Sequence, residues 1–280
     1  MEKLDKLNQP VEIQPSQSDV LRIVQITDSH IFADPNGSLL GVNTRDSFEA
    51  VCDRVCKEEW RADMLLATGD LAQDASPDAY QYIANKFKTM NIPSFWLAGN
   101  HDNPATMSMY LSNDSVFSAK HIVAGNWRII LLDSSVPGKV YGKLAKAQLD
   151  FLDSILKQHQ DKHTLVALHH HPVKVGSRWL DNLGLKNSNQ FKKVLSKYKH
   201  IKCVIYGHIH QDFKESLDDI TWIATPASCV QFKPHSDDFS ADDNAPGYRY
   251  LNLYPDGRID SVVHRVNNIE FSVDYSVTGY

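Results

Sequence analysis

At 280 residues, with 42% hydrophobic and 22% charged side chains, the chain has the balance of an ordinary globular protein with a sizeable core, long enough for one large α/β domain or two small ones. A formal charge of −5 and the lack of any basic block exclude a protein that holds nucleic acid by bulk electrostatics. No apolar run is long enough to cross a bilayer, and Cys52, Cys56, Cys203 and Cys229 follow no disulfide or zinc-knuckle spacing, which indicates reduced thiols and a cytoplasmic protein.

Residues 1–20 read as a polar N-terminal segment without the apolar stretch of a signal peptide. Short runs rich in Val, Ile and Leu then recur along the chain. They are "LRIVQITDSH" (21–30), "DMLLATGDL" (63–71), "IPSFWLAGNHD" (92–102), "WRIILLDSS" (127–135), "TLVALHHHP" (164–172), "KCVIYGHIH" (202–210) and "TWIATPAS" (221–228). Continuous apolar runs of this length fit strands covered on both faces. Helical spacing appears between them. "TRDSFEAVCDRVCKEEW" carries a Thr or Asp as N-cap, and its Cys52 and Cys56 fit core packing at one helix face. "SPDAYQYIANKFKTM" begins with Ser76 as cap and Pro77 at the first helical position. "AKAQLDFLDSILKQH" and "NSNQFKKVLSKYK" continue the alternation, which predicts a layered α/β domain. Residues 229–248 then read as a long polar loop, a lid, binding loop or surface connection, and 249–266 as a hairpin around "PDG". With no repeat, linker or low-complexity tract, residues 21–280 are expected to form a single domain whose C-terminal loop and hairpin occupy about 225–280.

The strand ends carry the chemistry. Asp28 and His30 ("TDSH"), Asp70 ("TGDL"), Asn100 and His101 ("GNHD"), His169 ("ALHHHP"), and His208 and His210 ("GHIH") each follow a predicted strand. In open α/β sheets ligands gather beyond the carboxyl ends of the strands. Singly, each cluster has a structural explanation, since Gly-Asp and Gly-Asn are common turn dipeptides. Jointly they do not, because chance would scatter such residues over helices and loops as well. Carboxylate, carboxamide and imidazole donors without thiolate suit Mn, Fe, Zn or Ni. The donors are too many for one ion. Two ions about 3.5–4 Å apart sharing a carboxylate form the usual clamp for in-line attack at phosphorus. Asp28 and Asp70 leave such a site cationic, as an anionic phosphate ester requires.

Taken in order, Asp28-x-His30, Gly69-Asp70, Gly99-Asn100-His101-Asp102, His169 and Gly207-His208-x-His210 resemble the motif set of the calcineurin-like metallophosphoesterases. "QITDSHIF", "LLGVNT", "ATGDLAQD", "WLAGNHD", "LHHHPV", "SRWLDNLGLKN", "GHIHQ" and "CVQFKPH" are similar to the class III bacterial 3',5'-cyclic AMP phosphodiesterases within that superfamily. The likeness runs from about residue 20 to the C-terminus. It implies an α/β/β/α sandwich, in which central β-sheets are flanked by helices. It also implies two divalent or mixed-valence ions, Fe and/or Mn, and hydrolysis of cyclic AMP to 5'-AMP by a metal-bridging hydroxide. By the same resemblance Asp28, His30 and His210 hold the first ion, and Asn100, His169 and His208 the second, with Asp70 bridging. Of the histidines at 169–171 it points to the first as ligand. His30, Asp70, Asn100, His101, His169 and His210 would contact substrate, and His101 would stabilise the phosphoryl oxygens and protonate the leaving group.

Gly99 is expected to permit the turn and Asp102 to serve turn chemistry. In related phosphatases an Asp three residues after the bridging Asp orients the histidine of the "GNH" motif. Here Gln73 stands there, with Asp74 next, so the partner of His101 stays open. Other phosphomonoesters or phosphodiesters, a non-catalytic scaffold and a metal-storage role are the alternatives. The partner expected is a small cyclic nucleotide, with neither nucleic acid nor membrane, and both monomer and homodimer stay open.

Overall fold

The computed structural model describes residues 9–16, 19–267 and 270–279. Of the polar segment expected over 1–20, residues 1–8, 17 and 18 lie outside these, and Val11–Ile13 forms a first strand, β1. The chain continues through β2 (Leu21–Ile26), a ribbon of β3 (Ser38–Leu39) and β4 (Val42–Asn43), α1 (Thr44–Lys57), β5 (Met64–Thr68) and α2 (Pro77–Met90). Next come β6 (Ser94–Leu97), α3 (Pro104–Tyr110), β7 (Val116–Phe117), β8 (His121–Ala124), β9 (Trp127–Leu131), α4 (Lys146–Gln158) and β10 (His163–Ala167). After α5 (Arg178–Asp181), α6 (Ser188–Leu195) and β11 (Ile201–Tyr206) follow β12 (Phe213–Leu217), β13 (Ile220–Ala224), β14 (Gln231–Phe232) and β15 (Ala241–Asp242). The hairpin of β16 (Gly247–Leu253) and β17 (Ile259–Arg265) comes last.

Two sheets carry the architecture, one in the order β17-β16-β2-β5-β6-β7 and one in the order β1-β8-β9-β10-β11-β13-β12. The central strands β2, β5 and β6 are mutually parallel, as are β9, β10, β11 and β13. Three apolar layers follow from that pairing. Ile23, Leu66, Phe95, Trp127, Leu165 and Ile205 fill the space between the sheets. Phe48, Ile83, Phe87 and Met107 pack α1, α2 and α3 on the outer face of the six-stranded sheet. Leu152, Ile155, Phe191 and Leu195 pack α4 and α6 on the outer face of the seven-stranded one. The result is the expected α/β/β/α sandwich, and it explains the unbroken apolar runs: β5, β6 and β9 are buried at every residue.

Some local expectations are corrected. The N-cap of α1 is Asn43, whose side chain accepts from the amides of Arg45 and Asp46. Residues 229–248 are not structureless, because β14 and β15 pair as a short antiparallel ribbon. Strands β1, β7, β8 and β12 and the short helix α3 add to the expected elements. They lie at or beside sheet edges or are only a turn or two long, where local periodicity is weakest. Among the described residues no helix is long and apolar enough to cross a membrane.

A buried polar seam ties the sheets together near their carboxyl ends. Gln25 Nε2 on β2 donates to Thr68 Oγ1 (2.8 Å) and to the Tyr206 carbonyl of the opposite sheet (3.1 Å), and Gln25 Oε1 accepts from Thr225 Oγ1 (2.6 Å). An unsatisfied amide at that depth costs about 1–3 kcal/mol, so the seam admits one arrangement of the strand ends.

Candidate metal centre

The loops after β2, β5, β6, β10 and β11 converge at one edge of the sandwich and bring Asp28, His30, Asp70, His169, His208 and His210 together, with Asn100 in the loop after β6, next to His101 in sequence. Their backbone is unusual. Asp28 (φ 53°), His30 (47°), Asp70 (49°), His208 (69°) and His210 (50°) all lie in the left-handed region, which costs non-glycine residues of order 1–3 kcal/mol each and persists only where the surroundings impose it. The restraints are visible. Asp28 N donates to Gly69 O (3.0 Å), His30 N to Asp70 O (3.0 Å) and Gly207 N to His169 O (3.1 Å). Gly99 is required for space: a Cβ there would collide with the Asp70 carboxylate, and its φ is not positive. The expectation that it permits the turn is replaced by close approach. Gly207 is equally crowded by Thr27 and Asp28.

On the first side of the cluster, His30 Nδ1 meets Gln73 Oε1 at 2.5 Å and His210 Nδ1 meets Val230 O at 2.8 Å. Both partners are acceptors, so each Nδ1 carries the proton and each Nε2 keeps a lone pair. Those two Nε2 atoms face each other at 3.2 Å, with Asp28 Oδ1 3.3 Å from His210 Nε2. Two imidazole nitrogens and a carboxylate this close call for a cation or a shared proton between them. Burial, with His101 beside it, depresses the His30 imidazole to about 3, which disfavours a proton in that role.

On the second side, His169 Nδ1 meets Thr68 O at 2.8 Å, leaving Nε2 3.1 Å from Asp70 Oδ2. Among the described residues Asn100 Oδ1 and His208 Nε2 are buried polar atoms without hydrogen-bond partners, an arrangement that native proteins avoid unless a ligand completes it. Burial and the neighbouring His170 and His169 hold the His208 imidazole well below its ordinary value, so it is neutral and able to coordinate. Burial alone would raise the Asp70 carboxyl, but the charges of His169 and His101 outweigh it and hold the group ionised. Asp70 in turn overrides the effect of burial on His169, lifting that imidazole to about 9, so a cation held there would displace the proton shared by the two. The donor types fit two cations, with Asp70 between the sides.

The three consecutive histidines meet different partners. His170 spends both nitrogens, Nδ1 on Ser134 Oγ (2.8 Å) and Nε2 on Val140 O (3.1 Å). His171 stacks against His208 at 5.6 Å between ring centroids. Only His169 meets the carboxylates Asp28 and Asp70 directly.

His101 stands at the rim, half-buried, its ring edge-on to His30 at 4.9 Å. Its backbone N donates to Asp70 Oδ1 (2.8 Å). The residues weighed as its orienting partner go elsewhere: Gln73 to His30, and Asp74 to the amides of Ala33 and Ser76. Asp102 does more than shape its own turn. Its carboxylate accepts from Gly99 N (2.9 Å), Leu71 N (3.1 Å), Ala72 N (3.1 Å) and Tyr80 Oη (3.0 Å), fastening this turn to the Asp70 loop. Burial and Asp70 push its carboxyl up to about 6, against the pull of those amides. Sequence reasoning missed Tyr80, Val230 and the partner of Gln73. The first two lie on other elements, and no spacing rule connects them to the motifs.

Comparisons with known proteins accord with this geometry. A sequence profile described as calcineurin-like phosphoesterase matches residues 21–212. The chain is 41% identical over 266 residues to the 3',5'-cyclic adenosine monophosphate phosphodiesterase CpdA of Pseudomonas aeruginosa, covering 95% of this chain and 97% of the relative. It is 42% identical over 261 residues to the protein of the same name from Escherichia coli K12, covering 93% and 95%. Among solved structures, a dimetal phosphatase from Danio rerio superposes with a TM-score of 0.63 at 16% identity, covering 88% of this chain and 99% of that one. That likeness speaks to the fold.

Proposed function

This chain belongs to the calcineurin-like phosphoesterase family, and on that premise we propose that it hydrolyses 3',5'-cyclic AMP to 5'-AMP at a dinuclear metal centre, lowering cellular cyclic AMP. The observation that carries the substrate is identity of 41–42% to cyclic AMP phosphodiesterases over nearly the full length of both chains. The chemistry is supported by the facing Nε2 atoms of His30 and His210, the close approach of His169 to Asp70, and the buried Asn100 and His208 atoms that meet no hydrogen-bond partner among the described residues.

In this reading Asp28, His30 and His210 hold one ion, Asn100, His169 and His208 the other, and Asp70 both. Their nitrogen and oxygen donors suit Fe and Mn. The ions, when bound, supply a water of lowered pKa and positive charge facing the phosphoryl oxygens. The protein supplies position and a proton. His30, Asp70, Asn100, His101, His169 and His210 surround the place where the phosphoryl group sits. Water's oxygen joins phosphorus, the bond from phosphorus to the 3' oxygen breaks, and His101, at the exposed rim, delivers the proton to the departing alkoxide. A positioned acid of that kind contributes roughly 10²–10⁴-fold.

Residues 21–280 acting as one domain belong to the same proposal; β16, from the C-terminal part, pairs directly with β2 at the centre of the six-stranded sheet. A cytoplasmic location is supported by four free cysteines. One assay panel tests the substrate, comparing cyclic AMP, cyclic GMP, 2',3'-cyclic nucleotides, p-nitrophenyl phosphate and bis-p-nitrophenyl phosphate with defined metals. Cyclic AMP is expected to lead by kcat/KM. Turnover of it no faster than that of the generic esters would remove the specific assignment and leave the metallophosphoesterase.

A further inference from the structure

All the candidate ligands fall within residues 28–210 and the family match ends at residue 212, yet one wall of the centre comes from the chain beyond it. Residues 227–232 fold over the end of β2. Ser228 donates from both N and Oγ to Thr27 O (3.0 and 3.1 Å), and Cys229 Sγ donates to Asp28 O (3.1 Å). Gln231 Nε2 holds that turn by donating to Ala227 O and Cys229 O (2.8 and 3.0 Å). Three contacts then reach His210: Val230 O accepts from its Nδ1, Phe232 N donates to its carbonyl (3.3 Å), and the Phe232 ring lies parallel to the imidazole, 4.1 Å between centroids at 7°. Phe232 is only 1% exposed and is itself wedged by Trp179 and Phe239, edge-on at 5.2 and 5.4 Å.

These contacts do different jobs. The hydrogen bond to Val230 decides which nitrogen keeps the lone pair. It restrains the ring through one in-plane atom, and Asp28 Oδ1 meets the other nitrogen at 3.3 Å, while the terminal torsion of histidine is by itself broad. A parallel ring in van der Waals contact adds a restraint over the whole imidazole face without competing for a cation, which would approach in the plane of the imidazole. We propose that Phe232 is a positioning residue that fixes the plane of His210, so that the ion on the His30–His210 side, and not its neighbour, depends on a segment outside the matched family region. The proposal rests on the reading of His210 as a ligand.

The test uses the intact chain loaded with two ions, challenged with graded chelator, with residual metal per chain measured by elemental analysis and folding by circular dichroism. Phe232→Leu and Phe232→Met keep apolar volume and lose the planar face. One ion is expected to leave at about 10–100-fold lower chelator, the usual effect of losing an outer contact to a ligand, while the other leaves as in the wild type. Phe232→Tyr keeps the face and is expected to release both ions at wild-type chelator concentrations. In a His210→Ala background Phe232→Leu should change nothing further, since its effect passes through His210. Equal loosening of both ions, no loosening in either variant, a tyrosine variant as weak as leucine, or an added loss on top of His210→Ala each overturns the proposal. Wild-type protein that holds fewer than two ions overturns the dinuclear reading first.

Discussion

The Gly99–Asp102 turn and the Gly207–His210 turn carry the proposed ligands Asn100, His208 and His210 at the ends of opposite sheets, and they are held by opposite means. The first is fastened by its own carboxylate. Asp102 gathers the amides of Gly99, Leu71 and Ala72, and Tyr80 adds a fourth donor. The second is fastened from outside: Asp28 accepts the His208 amide (3.1 Å), Val230 the His210 imidazole, and Phe232 covers the ring. A turn that carries its own clamp can be read from a few consecutive residues. A turn clamped by distant chain cannot, and its sensitivity to substitution lies where no motif points.

The comparison breaks most visibly at the chemistry. His101→Ala is expected to lower kcat by about 10²–10⁴-fold with both ions retained by elemental analysis. Loss of an ion in that variant would place His101 among the ligands and make the first turn a binding turn only. Asn100→Ala, one residue earlier, should do the reverse. The His169–His208 side is expected to lose metal affinity by about 100-fold or more, at least the upper range seen for outer contacts, while the other side holds its ion. Equal loss on both sides would mean that the two halves of the centre do not bind independently.

Much of this was legible in the sequence. Every strand-end cluster follows a strand of one of the two central sheets, because a chain buried on both faces writes its strands as plain apolar runs and leaves polarity only at their ends. The donor types gathered at that edge were legible for the same reason. The left-handed backbone at Asp28, His30, Asp70, His208 and His210 was not, since tertiary hydrogen bonds impose it against local preference. Nor was the partner of Gln73. The position invited a comparison with an aspartate serving His101, whereas the loop after β5 aims it at His30, and only the three-dimensional path of that loop decides between the two. Tyr80 draws no separate reading inside its helix and Phe232 falls in the expected polar loop, yet both are core aromatics. A side chain that fills a core and also orients a ligand leaves one pattern in the sequence for both tasks.

Asp102→Ala sharpens the difference between the turns at the level of stability. It leaves the buried amides of Gly99, Leu71 and Ala72 without an acceptor, at a cost of about 1–3 kcal/mol. Chemical denaturation should show that loss, and turnover should fall with it because His101 and Asn100 sit on the released turn. Asp102→Asn keeps one oxygen for the amides and is expected to fall between the two. A variant as stable as the wild type would mean that the turn is held by something other than its own carboxylate.

The smallest expected effect bears most closely on that point. Tyr80 comes from α2 and is fully buried; its hydroxyl donates to Asp102 Oδ1 at 3.0 Å and accepts from Asn103 N at 2.9 Å. Tyr80→Phe removes one donor from a carboxylate that keeps three, and frees an amide on an exposed residue that water can reach. The loss should be about 1 kcal/mol, a shift of roughly 2 °C in Tm for a chain of this size, with kcat and metal content unchanged. Were Tyr80→Phe instead to cost as much turnover as Asp102→Ala, the hydroxyl from α2 would be the true anchor of the turn. The Gly99–Asp102 turn would then be clamped from outside, like the turn at His210.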